Sequence, residues 1–423
     1  MGGEKPQYVP RPATASEHVP MSPPNRTPAS PILIVGAGIG GLTAALALLR
    51  LGLKVIVCEQ APALGDVGAG VQISANGARV LGALGLEGEL RRVWCEPEGK
   101  EVRLWSSGQS WNLFDLGAQS VARYGAPYFM CHRADLHGLL AAAVRACDPV
   151  AIRLGARCVG FSQDARRVTV RLASGEEVSG AALIGADGVH SRIRSVLFGD
   201  ARPTFSGCIA WRGLVPMERL PARFSRRVGT NWIGPGGHVI TYPVRRGELL
   251  NFVGIVEQDG WHRESWSDTG SARDCAADFR GWHDDIHAVI GNVGMLYKWA
   301  LLIREPLPRW TVERVTLLGD AAHPTLPMLA QGACMAIEDG LVLARCLEAY
   351  DDLAAALRRY EALRLERTTR LVRGAAESAR RFHNPTLRDE RQAQSYVERE
   401  WREDKVTERY DWIFRYDATA VEI

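Results

Sequence analysis

Pro31-Ile-Leu-Ile-Val-Gly36-Ala-Gly38-Ile-Gly40-Gly41-Leu-Thr-Ala-Ala45, followed shortly by Lys54-Val-Ile-Val-Cys-Glu59-Gln60, is the stretch whose reading decides the fold. Ile32 to Val35 is a short aliphatic run that stops at glycine, as a buried strand does. Leu42 to Leu51 is rich in alanine and leucine, Gly52 ends it, and Lys54 to Glu59 reads as a second strand. Strand, glycine turn, helix and strand within about thirty residues form a nucleotide-binding βαβ unit. Gly36, Gly38 and Gly41 fit G-x-G-x-x-G, with Gly40 in the same turn. The first allows the tight turn, the second lets a pyrophosphate approach the backbone, and the last lets the helix pack on the strand. The helix N-terminus then offers unpaired N–H groups to phosphate. Glu59 ends the second strand, where a carboxylate can accept from both ribose hydroxyls and would repel a 2′-phosphate. Gln60 joins it as a candidate cofactor-binding residue. A glycine turn that merely packs is the competing reading, but it explains poorly three such glycines beside a well-placed acid. The fingerprint does not by itself separate FAD from NAD.

The rest of the composition narrows the class. The 423 residues suffice for one large or two intimately packed domains. With 46% hydrophobic and 23% charged residues, the chain has ordinary soluble-globular texture. A formal charge of +3 is too small to argue for nucleic acid or an anionic membrane, so neither is expected as a partner. No apolar run reaches membrane-spanning length. Nine cysteines, an odd count without a Cys-x-x-Cys pair, fit reduced thiols in a cytoplasmic enzyme. His283 and His287 have metal-like spacing but no evident third ligand, so no metal is expected. Residues 1–30 are rich in proline, serine and threonine and lack the apolar core of a signal peptide. They read as a disordered leader, within which Met21 is a possible natural start.

Strand-like runs recur at Ala181 to Ile184 and Val315 to Leu318, each closely followed by glycine and aspartate. Between them the texture changes to short alternating runs (Gly207 to Val215, Val239 to Val244, Leu249 to Val256), the pattern of a mainly antiparallel sheet. From Gly332 to about Arg381 the pattern is helical, and Pro385 stops it. The last forty residues or so carry Trp401, Tyr410, Trp412, Phe414 and Tyr416 among many charges, and are expected to dock on the body or on another subunit.

Two further motifs complete the picture. One is Gly185-Ala-Asp187-Gly188-Val-His190-Ser191-Arg192-Ile-Arg194. The other is Leu318-Gly319-Asp320-Ala-Ala-His323-Pro324, with Ala330-Gln331-Gly332-Ala333 and then Glu338-Asp339 after it. With the first, in this order from about Pro31 to Arg381, they resemble the class A flavoprotein aromatic hydroxylases, particularly salicylate hydroxylase, 3-hydroxybenzoate 6-hydroxylase and 6-hydroxynicotinate 3-monooxygenase. The resemblance implies an α/β fold: a Rossmann-like FAD-binding domain of the glutathione-reductase type over 31–202 and 308–384, a substrate-binding sheet over 203–307, and a tail over 385–423. It implies FAD as cofactor, NADH or NADPH as transient co-substrate, O₂ and a small aromatic substrate, in a monomer or homodimer. Asp187 and Gly188 would lie near the pyrophosphate, Asp320 would bond the ribityl chain, and Arg133 would meet the phosphate or ribityl region. Gln72 is also placed at the cofactor. Simple helix capping is the competing reading of Asp187 and Asp320, while Ser191 reads as an N-cap rather than a ligand. Gly332 and Ala333 open a helix whose N-terminus would stabilise charge on reduced flavin.

By the same resemblance, reduced flavin and oxygen give a C4a-hydroperoxide that hydroxylates the ring. A ring hydroxyl must then lose or share its proton, work suited to histidine. His238 and Tyr242, four apart on one presumed strand, fall on the same face. His238 is read as the phenol activator and Tyr242 as the positioning group; two partly buried sheet residues with satisfied polar groups are the competing reading. Gln72 stands where the hydroxynicotinate enzyme has histidine, which disfavours a pyridine substrate. Pro327 to Gln331 looks more like the salicylate branch, making decarboxylative hydroxylation of salicylate to catechol the leading form. The 3-hydroxybenzoate and hydroxynicotinate reactions, or a tailoring oxygenase acting on a larger ring system, are the alternatives. Arg212 and Arg245 flank the sheet and read more readily as exposed side chains than as carboxylate ligands.

Overall fold

The computed structural model describes residues 30–65, 69–200, 202–260 and 269–423. The expected leader up to Ala29 lies outside them. Ile32–Val35 forms the centre of a six-stranded sheet, with Val55–Cys58 and Ile152–Arg153 on one side. Ala182–Gly185, Val315–Leu317 and Thr311–Val312 lie on the other. The strands run parallel except the last pair, and Val35 stands level with Cys58 and Gly185. All four residues of Ile32–Val35 are buried, which explains the unbroken aliphatic run. Helix Ile39–Arg50 covers this sheet and packs on helix Gly332–Ala349. Gly36 adopts φ +104°, and a side chain there would strike the Ala186 carbonyl. A Cβ on Gly38 would meet nothing within 4 Å, because it faces open space.

The second layer is an eight-stranded sheet in the order Thr269–Gly270, Leu296–Ile303, Thr204–Pro216, Leu249–Glu257, Gly237–Val244, Val228–Gly234, Gly99–Leu104, Ser110–Asp115. All pairings are antiparallel except Val228–Gly234 with Gly99–Leu104. Two of its strands thus come from residues 99–115, upstream of the 203–307 insertion expected from sequence. One face packs Trp211, Trp232 and Phe252 beneath helices Ala272–Asp278 and Asp284–Asn292, the latter contributing Ile286. The other presents Ile240, Tyr242 and Val253 to the dinucleotide-binding half.

Helix Leu353–Phe382 runs for 30 residues, and a short turn at Pro385–Arg388 ends the helical run after His383 and Asn384. The aromatic tail folds onto this same chain: helix Glu403–Phe414 buries Val406, Tyr410, Ile413 and Phe414. Arg79 and Arg367 donate to the carbonyls at its end, Arg79 to Phe414 and Arg367 to Ile413. All nine cysteines are unpaired thiols. No helix among the described residues is long and apolar enough to cross a membrane.

Candidate active site

A cavity of about 390 Å³ opens between the two sheets, where the crevice beyond the carboxyl ends of parallel strands meets the antiparallel face. Its floor is the glycine turn (Gly38, Gly40, Gly41) with Gly188, and its far wall is Gly332 and Ala333. Gly41 packs so tightly on the carbonyl of Gly36 that a side chain there has no room. Gly38 is open toward the cavity, the cradle a pyrophosphate needs. Glu59 accepts from the Ala37 and Ala61 N–H groups at 2.8 Å each, one per carboxylate oxygen. Each oxygen keeps a lone pair for a ribose hydroxyl.

Asp320 and Arg133 both line this cavity, close enough to interact electrostatically. Asp320 opens into it yet is enclosed by protein, so burial raises its pKa while His323 and Arg133 pull it back. Its turn is held by Asp339, which accepts from the Gly319 N–H at 3.1 Å and lies 2.6 Å from His323 Nε2. Asp339 is in turn fixed by Arg364 at 2.7 Å, and adjacent Glu338 by Arg364, Arg367 and Asn76. This buried network anchors helix Gly332–Ala349 so that its first-turn N–H groups, which lack intrahelical partners, face the cavity. Gln331, the residue before Gly332, is locked by Asn76 and Ser74.

Asp187 does not wall the cavity. Its carboxylate accepts from Ser191 Oγ and from the Arg192 and Ile193 N–H groups, capping helix Arg192–Phe198. The capping reading therefore describes Asp187, and Gly188 alone of that pair reaches the cavity. Ser191 is an N-cap, accepting from the Arg194 N–H at 2.9 Å. Gln60 is exposed and lies off the cavity walls.

His238 and Tyr242 share a strand face, but only Tyr242 walls the cavity. Four residues of strand span about 13 Å, which carries His238 to the far end of the sheet. It is fully buried there beside Phe382, with Nδ1 2.7 Å from His383 Nε2. His383 in turn lies 3.0 Å from Glu257. Burial and His383 push the His238 pKa well below its usual value. The assignment of His238 to phenol activation is corrected accordingly: it supports the sheet and stays neutral.

Tyr242 is 3% exposed. Gly70 makes room for its ring, since a Cβ there would lie 2.5 Å from Tyr242 Cε2. Gln72 accepts from the Tyr128 hydroxyl at 2.7 Å and hydrogen-bonds Tyr242. Its carbonyl oxygen being taken by Tyr128, the amide N–H₂ is what meets Tyr242. Gln72 is thus a cavity residue that orients Tyr242.

Arg212 is the residue that sequence reasoning missed. It is no exposed side chain: it walls the cavity, lies over Trp299 at 5.3 Å, and donates to the Gly70 carbonyl at 3.4 Å. Its Nε is buried without a hydrogen-bond partner. Burial lowers its pKa, and Tyr242 offsets this in part. Arg245, by contrast, pairs with Asp135 at 2.9 Å, away from the cavity. Ile240, Val253 and Leu301 supply apolar wall beside Arg212.

A glycine cradle, a helix N-terminus and an enclosed aspartate fit FAD, and the apolar annex with Arg212 and Tyr242 fits a small ring beside it. Residues 29–375 match the family model described as FAD binding domain. The chain is 40% identical over 391 residues to 3-amino-4-hydroxybenzoate 2-monooxygenase PtnB3 of Streptomyces platensis, covering 92% of this chain and 97% of that one. It is 38% identical to 3-hydroxybenzoate 6-hydroxylase 1 of Aquipseudomonas alcaligenes, over 80% of this chain and 86% of the relative. The structure of HpxO from Klebsiella pneumoniae complexed with FAD and uric acid superposes with a TM-score of 0.78 at 28% identity, covering 89% of this chain and 96% of that one. Fold and site together define an FAD-dependent aromatic monooxygenase. The chain belongs to the FAD binding domain family, among its class A flavin hydroxylases.

Proposed function

We propose that this protein hydroxylates a monocyclic benzoate bearing a hydroxyl or amino group, retains the carboxylate, and takes its electrons from NADH or NADPH. The observation that carries this reading is the unpartnered Arg212 Nε beside Tyr242, against the apolar wall of Ile240, Val253 and Leu301. A buried guanidinium without an anion is costly, and a carboxylate or phenolate is its natural partner. Burial raises the Tyr242 pKa, so its hydroxyl stays protonated and acts as donor rather than base. Gln72 donates to the Tyr242 oxygen and leaves the phenol hydrogen free to meet a substrate oxygen. Ile240, Val253 and Leu301 keep water from the ring, as transfer to carbon rather than release of peroxide requires. When bound, FAD supplies the reduction and oxygen-activation chemistry.

The relative named for 3-amino-4-hydroxybenzoate supports an amino-hydroxybenzoate substrate and hydroxylation without loss of CO₂. Decarboxylative conversion of salicylate is the second outcome of the test. Nine unpaired thiols fit a reducing compartment. The test incubates the enzyme with NADH, O₂ and a panel containing 3-amino-4-hydroxybenzoate, 3-hydroxybenzoate and salicylate, and weighs the products. A product one oxygen heavier with its carboxylate retained supports the proposal. Catechol from salicylate as the best product, or no substrate-stimulated NADH oxidation across the panel, contradicts it.

A further inference from the structure

A second cavity, of about 480 Å³, lies between strand Ser110–Asp115 and the tail helix Glu403–Phe414, apart from the flavin cavity. That volume is in the range of small-molecule sites. Phe114, Tyr410 and Phe414 give it aromatic walls, and Leu113 and Val406 add aliphatic ones. Lys100 lines it from the neighbouring strand, with its amine 5.0 Å from the Tyr128 ring centroid. Among the described residues no carboxylate pairs with that amine. The other cations of the wall are engaged, Arg123 with Asp411 at 2.7 Å and Arg226 with Glu101 at 3.2 Å. Glu98, Asp115 and Glu403 are exposed and solvated. Tyr128 and Cys334 face Lys100 from the interior, and burial pushes the amine down to about 7.

We propose that this cavity is a second ligand site, for a carboxylate with an apolar body whose head pairs with Lys100 and whose body lies against Phe114, Tyr410 and Phe414. An amine with no carboxylate partner lacks only an anion, and the aromatic wall of Phe114, Tyr410 and Phe414 suits an amphipathic one rather than an inorganic ion. The site lies one side chain from the flavin cavity, since Tyr128 touches Lys100 on one side and Gln72 on the other. It stands apart from the proposed reaction, because its test reads binding and not turnover.

Octanoate, a saturated acid that offers no ring to hydroxylate, is titrated calorimetrically into the FAD-loaded enzyme in two buffers of different ionisation heat. One equivalent should bind with net proton uptake that grows as pH rises through the amine's lowered pKa, because the carboxylate holds the amine charged. Affinity should fall about tenfold per pH unit well above the amine pKa. Lys100→Met should weaken binding at least tenfold and abolish the proton uptake, and Leu113→Trp should weaken it by filling the cavity. Arg212→Met should bind octanoate as the parent does. Flavin absorption and melting temperature establish that each variant is folded, and Leu113→Trp decides should Lys100→Met fail to fold. No binding to the parent enzyme overturns the proposal. So does binding unmoved by Lys100→Met and Leu113→Trp, or binding lost with Arg212.

Discussion

Arg212 and Gly38 show how differently single residues reveal their work. Gly38 is legible in sequence because its spacing from Gly36 and Gly41 has one common use. Gly38→Ala should leave the apoprotein as stable as the parent, since its Cβ meets nothing, while weakening FAD binding measured by flavin fluorescence. Gly36→Ala should destabilise the apoprotein itself through its positive φ and the Ala186 carbonyl. Arg212 is illegible: an arginine in an alternating strand reads as solvent-facing until the second sheet face is known to meet a cavity. Removing it should cost about 1.5–3 kcal/mol of substrate binding, roughly a tenfold to hundredfold rise in Kd, with FAD content unchanged. His238 is half legible, because period two gives the correct face but strand rise takes it out of reach. His238→Gln should leave turnover nearly unchanged and flatten the acid limb of stability. The folded state holds this histidine neutral, so fewer protons bind than in the unfolded chain. Its contribution is therefore complete above about 6.5 and declines as pH falls below that value, which melting curves from pH 8 to 5 will read.

At the scale of elements, helix Gly332–Ala349 matters most. Its Glu338 and Asp339 read from sequence as part of a motif, yet their partners Arg364 and Arg367 lie in the next helix and carry no motif of their own. They become visible only when the two helices pack, 26 and 25 residues apart for Arg364 with Glu338 and Asp339. Both arginine–carboxylate contacts of Arg364 are fully buried. Removing one partner from such a pair strands a charge. Arg364→Met should lower stability by about 3–5 kcal/mol in urea unfolding and loosen FAD, whose site the helix end faces. The strand pairing of Gly99–Leu104 with Val228–Gly234 is equally hidden, since nothing local ties residues so distant in the chain.

For the whole molecule, the three glycine and aspartate motifs make the dinucleotide half legible, because each uses main-chain geometry that few residue types satisfy. The substrate half is legible only as texture, since its cavity is made where sheet meets flavin domain and depends on both. The tail leaves self-docking and subunit contact open in sequence, and it docks on this chain through Arg79, Arg345 and Arg367. The joint cavity is what makes this an aromatic monooxygenase rather than a bare flavin carrier. Titrating the FAD-loaded enzyme with 3-amino-4-hydroxybenzoate while following the flavin absorption spectrum tests it most directly, for parent and Arg212→Met side by side. A saturable spectral change in the parent, shifted at least tenfold to higher concentration in Arg212→Met, is the expected result. No spectral change with any aromatic acid, or equal affinity in both proteins, would contradict a ring held against the flavin by Arg212.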